Sequence, residues 1–255
     1  MNIHIISLLN YTAEQTINNF SRLHSVKNII DSGDIDILSE YIKQLADFYI
    51  DFLQKINFLP LDKPFYKRSL FGTYDSFNEI KHTDPLAKEV VVCFSEKELF
   101  EMTSITPIHI RYSDPQNLYL ANGISWIENK RKILFHLTEL SFPKHIVKVP
   151  PHRLSYVTEI LELYDPTKKD LLRDLVTSRG IYYNQFQKDC KEYWGDTFYK
   201  FFMKKQMIEA LDDILFTKQS FNDIAIRHKF VNYTNLYRTF IKHGLILNEI
   251  IRLAN

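Results

Sequence analysis

The sequence predicts an α+β N-terminal domain followed by an all-α C-terminal domain in which a long helix joins two helix-turn-helix units. Three observations carry this. Apolar residues recur every three or four positions from Tyr11 to Phe58; short apolar runs alternate with turn residues from Glu89 to Leu137; and beyond a proline-rich stretch only helical periodicity remains, with one helix-turn-helix order occurring twice.

The 255 residues carry 32 Lys+Arg against 31 Asp+Glu and are 45% hydrophobic, which fits a soluble globular protein of one large or two modest domains. No run approaches the roughly 18 uncharged apolar residues that span a bilayer. The start, Met1-Asn-Ile-His-Ile-Ile-Ser, lacks the basic flank and cleavage site of a signal peptide, so no membrane partner is expected and a cytoplasmic home is. Cys93 and Cys190 stand far apart without CxxC spacing, which removes a disulfide framework and a cysteine-based zinc site. With 6 Gly against 19 Phe and 15 Tyr the composition is that of an A/T-rich genome, so abundant Asn and Tyr carry no functional message by themselves. Residues 1–151 hold 16 basic and 18 acidic side chains, and 152–255 hold 16 and 13. The C-terminal part is mildly basic, which permits nucleic-acid binding without requiring it.

In chain order, Ile17, Phe20 and Leu23, then Leu38, Ile42, Leu45, Tyr49, Phe52, Leu53 and Ile56, predict two amphipathic helices over 12–30 and 34–57. Gly33 can end the first and Asp34 cap the second. Past Pro60 and Pro64 the strand candidates are Glu89–Phe94, Ile108–Tyr112, Asn117–Leu120, Ile124–Ile127 and Lys132–Leu137, with Ala121-Asn-Gly123 as a turn between two of them. Residues 1–145 are thus expected to form an α+β effector or dimerisation domain. Pro143-Lys-His-Ile-Val-Lys-Val-Pro-Pro151 resists helix and central strand alike, and 146–151 is read as a linker.

Beyond it, Ser155–Tyr164 predicts a helix stopped by Asp165-Pro166. Asp170–Val176, the turn Thr177-Ser-Arg-Gly180 and Tyr182–Trp194 make the first helix-turn-helix. Thr197–Leu215 is a long helix with a wide apolar face. Phe221–Arg227, the turn His228-Lys229 and Asn232–His243 make the second, with Asn232 as N-cap. A rigid connecting helix would fix the spacing of the two recognition helices, allowing both to enter successive major grooves.

Residues 152–255 resemble the DNA-binding domain of the AraC/XylS family of bacterial transcription regulators. The resemblance lies in Asn222-Asp-Ile-Ala225 followed by Phe230, Asn232, Thr234, Leu236, Arg238, Phe240 and Lys242 at alternating positions, with Glu249 and Arg252 beyond. In the first unit it lies in Leu175, Gly180-Ile181, Phe186, Lys188, Lys191 and Gly195, and in the connecting helix in Ala210 and Leu215. It covers about 40% of the chain. Lys229 stands where the family usually has Gly, Gly244 lies one position early, Asn248 replaces Pro, Gln206 replaces Arg and Val176 replaces Ala. A left-handed Lys229 would cost about 1 kcal/mol.

Ile224, Ala225, Phe230, Leu236 and Phe240 have the spacing of a packing face. By the family's geometry, Asn184, Gln187 and Lys188 in the first recognition helix and Tyr233, Thr234, Tyr237 and Arg238 in the second are expected to meet base edges. Arg pairs with guanine, Asn and Gln with adenine, and Thr or Tyr carbons touch thymine methyls. Lys191, Lys204, Lys205 and Lys242 are expected at phosphates.

The resemblance implies double-stranded DNA and RNA polymerase as partners, activation of transcription, a small-molecule or protein effector, and a possible homodimer. Many family members sense their effector through a cupin-like barrel. The initial helical pair does not look like the start of such a barrel. The strand-rich part, about 66–142, could be an incomplete or divergent one, but His82, His109, His136 and His145 are scattered and form no metal motif. No cofactor and no metal are expected. The chain has no GxSxG, no HExxH and no glycine-rich phosphate loop, so it is read as no enzyme. Cys93, within an apolar run, is read as a buried hydrophobe. The competing reading is a protein-interaction module whose degenerate C-terminal half regulates through a protein partner.

Overall fold

The computed structural model describes residues 2–59, 65–94, 105–128, 132–168 and 171–254. They divide into two compact units: 9–51 with 61–146, and 1–8 with 52–60 and 147–255. The division at 146/147 falls in the proline-rich segment, but boundaries also fall inside α1 (Ile3–Ser21) and α3 (Ile35–Lys55). The first 145 residues are therefore shared between the units. Among the described residues no helix is long and apolar enough to cross a membrane.

The sheet unit contains most of α1 and α3, with α2 (His24–Ser32), β1 (Tyr66–Thr73), α4 (Tyr74–Ile80), α5 (Pro85–Cys93), β2 (Ile105–Ser113), β3 (Asn117–Glu128) and β4 (Lys132–Pro143). The strands form an antiparallel sheet in the order β1-β4-β3-β2. Alternation sends Ile108, Ile110, Ala121, Phe135 and Leu137 to one face, where they pack on Phe77 of α4 and on Leu86, Ala87 and Val90 of α5. Burying each large side chain there contributes about 1.5–3 kcal/mol. The opposite face carries His109, Asn122 and His136. His136 Nδ1 meets Ser39 Oγ at 2.9 Å, and His109 Nδ1 meets Asn122 Oδ1 at 2.9 Å.

Several elements differ from the sequence expectation. The expected helix over 12–30 is two helices: α1 starts at Ile3, and α2 ends at Gly33, whose φ of 78° lets its N–H close on Ile29 and Ile30. The strand expected over Glu89–Phe94 is part of α5. Asp84 caps it by accepting from Leu86 N and Ala87 N, Pro85 starts it, and the buried Leu86, Ala87 and Val90 form one helical stripe hidden in a β-branched run. Cys93 consequently ends that helix and is exposed rather than buried.

The turn expected at Ala121-Asn-Gly123 does not exist, because β3 runs straight through it. Gly123 serves close strand approach instead: a Cβ there would lie 1.9 Å from the His136 carbonyl oxygen. β1 escaped the sequence reading because Lys67 and Arg68 break its apolar pattern. Both are neutralised by residues remote in sequence, Lys67 by Asp47 and Arg68 by Asp84 and Glu139. Of the apolar helix faces read from the sequence, Ile17, Phe20, Leu38, Ile42, Leu45 and Tyr49 are buried within the chain, and Leu23 is half-buried.

The helical unit contains α6 (Tyr156–Leu163), α7 (Leu172–Thr177), α8 (Tyr183–Trp194), α9 (Phe198–Phe216), α10 (Phe221–Arg227) and α11 (Tyr233–Lys242), with the start of α1 and the end of α3. Asp170, expected to open the first short helix, lies outside the described residues. Helix α9 buries Phe198, Phe201, Met207, Ile208, Ala210, Leu211 and Ile214, as its wide apolar face predicts. Trp194 at the end of α8 stacks on Phe201 at 4.4 Å, and Phe186 packs on Phe198 at 5.4 Å. Ile224, Ala225, Phe230, Leu236 and Phe240 form the core of the second helix pair.

Candidate nucleic-acid interface

Two helix pairs frame the candidate interface. In the first, α7 leads through Ser178-Arg-Gly180, with Gly180 at φ 73°, into α8. Phe186, Cys190, Tyr193 and Trp194 bury one side of α8 and leave Asn184, Lys188 and Lys191 exposed on the other. Gln187 is half-buried and its Nε2 is closed off from solvent. Tyr182, just before α8, is 85% exposed, and the Arg173 guanidinium lies 5.1 Å from the Tyr183 ring. Tyr182 was not among the sequence candidates, although its place between a glycine turn and a polar helix was a usable signal.

In the second pair, α10 leads through a short turn into α11. Asn232 caps α11, its side chain accepting from Asn235 N at 2.9 Å. Leu236 and Phe240 anchor the helix inward. Two stripes at four-residue spacing remain outward: Thr234, Arg238 and Lys242 form a polar one, and Tyr233, Tyr237 and Ile241 an apolar one. Tyr233 lies 5.9 Å from Tyr237 and 6.2 Å from Phe221, whose other neighbour is the Arg252 guanidinium at 4.4 Å. Ile241 completes this stripe and was missed because a single isoleucine in an amphipathic helix reads as core.

The turn between α10 and α11 is backbone-strained. Lys229 has φ 61° and Val231 φ 70°, both left-handed, and Val231 is β-branched as well. Gln206 of α9 holds the turn, its Nε2 donating to the carbonyls of His228 at 2.8 Å and Lys229 at 2.9 Å. Lys229 Nζ donates to the Tyr164 carbonyl at 3.2 Å. His228 Nε2 sits 2.6 Å from Asp213 Oδ2, and its other nitrogen 3.9 Å from Glu209. Burial opposes its charge, but the hydrogen bond to Asp213 and the neighbouring Glu209 carboxylate outweigh burial and raise its pKa above the ordinary value.

No protein-family model, curated protein or solved structure matches this chain.

The cations expected at phosphates separate into two kinds. Lys191 and Lys242 are exposed at the ends of α8 and α11. Lys204 is a buttress instead: its Nζ donates to Asp196 Oδ2 at 2.6 Å and to the Asn57 carbonyl at 2.7 Å, leaving the side chain 13% exposed. Lys205 is paired with Glu209 one turn along α9. An ammonium already bonded in this way offers little to a phosphate.

The sheet unit holds a separate polar cluster. Arg68 bonds Glu139 through Nε at 2.7 Å and Asp84 through Nη1 at 2.6 Å, and the Tyr112 hydroxyl also donates to Glu139. Burial and the Glu139 carboxylate both push the Tyr112 phenol far above its ordinary range. The carboxylates are thus engaged in holding β1, β4 and α5 together. Among the described residues no group of three or more His, Cys, Asp or Glu side chains is placed to hold a metal ion.

Proposed function

We propose that this chain is a sequence-specific DNA-binding transcription regulator, in which α8 and α11 enter the major groove and the sheet unit modulates them by effector binding or self-association. The observation that carries the reading is the repeated layout: two helix pairs flank α9, and the second helix of each turns an exposed polar, partly basic face outward. On α11 the Thr234/Arg238/Lys242 stripe combines a hydroxyl, a guanidinium able to bind guanine through two hydrogen bonds, and an ammonium suited to a phosphate. Asn184 and Lys188 play the corresponding part on α8, with Lys191 at the backbone, while Gln187 is less available. The AraC/XylS resemblance of 152–255 supports the same assignment, with RNA polymerase as the partner of an activator. Lys204 and Lys205 are left out of the interface.

The competing reading, a protein-interaction module that no longer touches DNA, is favoured by the apolar Tyr233/Tyr237/Ile241 stripe and the strained turn beside it. Binding of the full chain to random and genomic duplexes across a salt series separates the two. A regulator loses affinity steeply, with a log–log slope of about −0.9 per phosphate neutralised. Absence of binding at low salt refutes the first reading.

A further inference from the structure

We infer that residues 2–8 and 52–59 are positioning parts of the DNA-reading unit, each stretch holding the C-terminal end of one reading helix. The inference rests on the assignment of α8 and α11 as reading helices.

The first stretch grips α8. The buried Asn2 uses both ends of its amide: Oδ1 accepts from His4 N at 2.9 Å, capping α1, while Nδ2 donates to the carbonyl of Tyr193 in the last turn of α8. That carbonyl has no partner within the helix, so the bond satisfies a group that would otherwise need water. The His4 ring stacks on Tyr193 at 4.3 Å, and Ile3 N donates to the Lys148 carbonyl at 2.9 Å. The second stretch grips α11. Phe52, fully buried, packs on Phe240 at 6.4 Å, and His243 Nδ1, at the C-cap of α11, lies 3.2 Å from the Lys55 carbonyl. Lys204 ties the Asn57 carbonyl to α9, and Ile56, Phe58 and Leu59 are buried.

The effect of such anchors grows along the helix. Twelve residues make α8 about 18 Å long, so a tilt of about 10° at its C-terminal end moves its first turn by roughly 3 Å. That exceeds the tolerance of a base-edge hydrogen bond. Asn2, His4, Phe52 and the Lys55 carbonyl touch no base in this scheme, yet they set the angle at which Asn184, Lys188, Thr234 and Arg238 arrive.

The test uses the full chain with Asn2→Asp, which keeps the acceptor that caps α1 and removes the donor to Tyr193, alongside His4→Ala and wild type. Amide hydrogen exchange is read along α8 and α11, and binding and footprints are read on a duplex selected by wild type. The expected result is faster exchange in the last turn of α8 with α11 unchanged, binding weakened about three- to tenfold, and loss of protection over one half of the site. Wild-type exchange, affinity and footprint in Asn2→Asp would overturn the inference while leaving the DNA-binding reading standing. Failure of wild type itself to bind DNA would overturn that reading, and the inference with it.

Discussion

Gln206 of α9 and Lys229 in the turn of the second helix pair are joined: the Gln206 amide donates to the Lys229 carbonyl at 2.9 Å, and the residue it holds has φ 61°. The position where the family resemblance leads one to expect arginine thus closes a turn where it leads one to expect glycine. Gln206→Ala leaves the carbonyls of His228 and Lys229 without this donor and should cost about 1–3 kcal/mol. Urea unfolding checks it, and an unchanged midpoint would show that the turn stands without Gln206.

Val231 carries left-handed strain without a compensating buried side chain, since it is 53% exposed. Val231→Gly should therefore stabilise the protein by about 1 kcal/mol. The same substitution at Lys229 should gain less, because it also removes the bond to the Tyr164 carbonyl. Thermal unfolding of the two variants side by side reads the difference.

Two histidines should give pH dependences of opposite sign. The folded-state pKa of His228 is raised above 6.5, so its contribution is fully present below about pH 6.5 and is lost as pH rises through the folded value. Burial lowers His136 to about 4, so its neutral form supports the fold above about pH 6.5, and that support is lost as pH falls toward 4. His228→Gln should flatten the alkaline side of the stability profile and His136→Gln the acid side. Equal slopes in wild type and variants would contradict both.

Arg68 neutralises Glu139, whose side chain is only 3% exposed. Arg68→Met would strand that carboxylate and release Asp84, at a cost of about 3 kcal/mol. The double variant Arg68→Met/Glu139→Gln should recover part of the loss. A double variant no more stable than the single one would mean that Glu139 is not the source of the cost.

Arg238 and Lys242 lie one helical turn apart on the same stripe and should fail differently. Arg238→Ala should remove about 1–3 kcal/mol of discrimination at one base position, whereas Lys242→Ala should weaken all duplexes alike and reduce the salt slope by about one contact. Identical losses on specific and random duplexes for both variants would erase the division between base reader and phosphate clamp.

Local pattern by itself determined the helices of the C-terminal part: the breaks at Gly180 and His228-Lys229, the Asn232 cap and the packing set Ile224, Ala225, Leu236 and Phe240 were all legible, because capping and 3.6-residue periodicity act within a few residues. The outward placing of Tyr233, Thr234, Tyr237 and Arg238 on α11 was expected from the AraC/XylS resemblance, whereas that of Ile241 was not. Tertiary structure alone decided the rest. Whether Val90, Val91 and Val92 lie in a strand or a helix depended on Asp84 and on the sheet face that receives Leu86, Ala87 and Val90. Gly123 resembled a turn until a neighbouring strand took the space its side chain would fill. Lys204 looked like a free cation until Asp196 and Asn57, eight and 147 residues away, neutralised and bonded it. The membership of residues 2–8 and 52–59 in the helical unit was likewise invisible, because contacts such as Asn2 with Tyr193 join residues 191 apart. Only the folded chain, having met the entropy of closing such loops, brings those residues together.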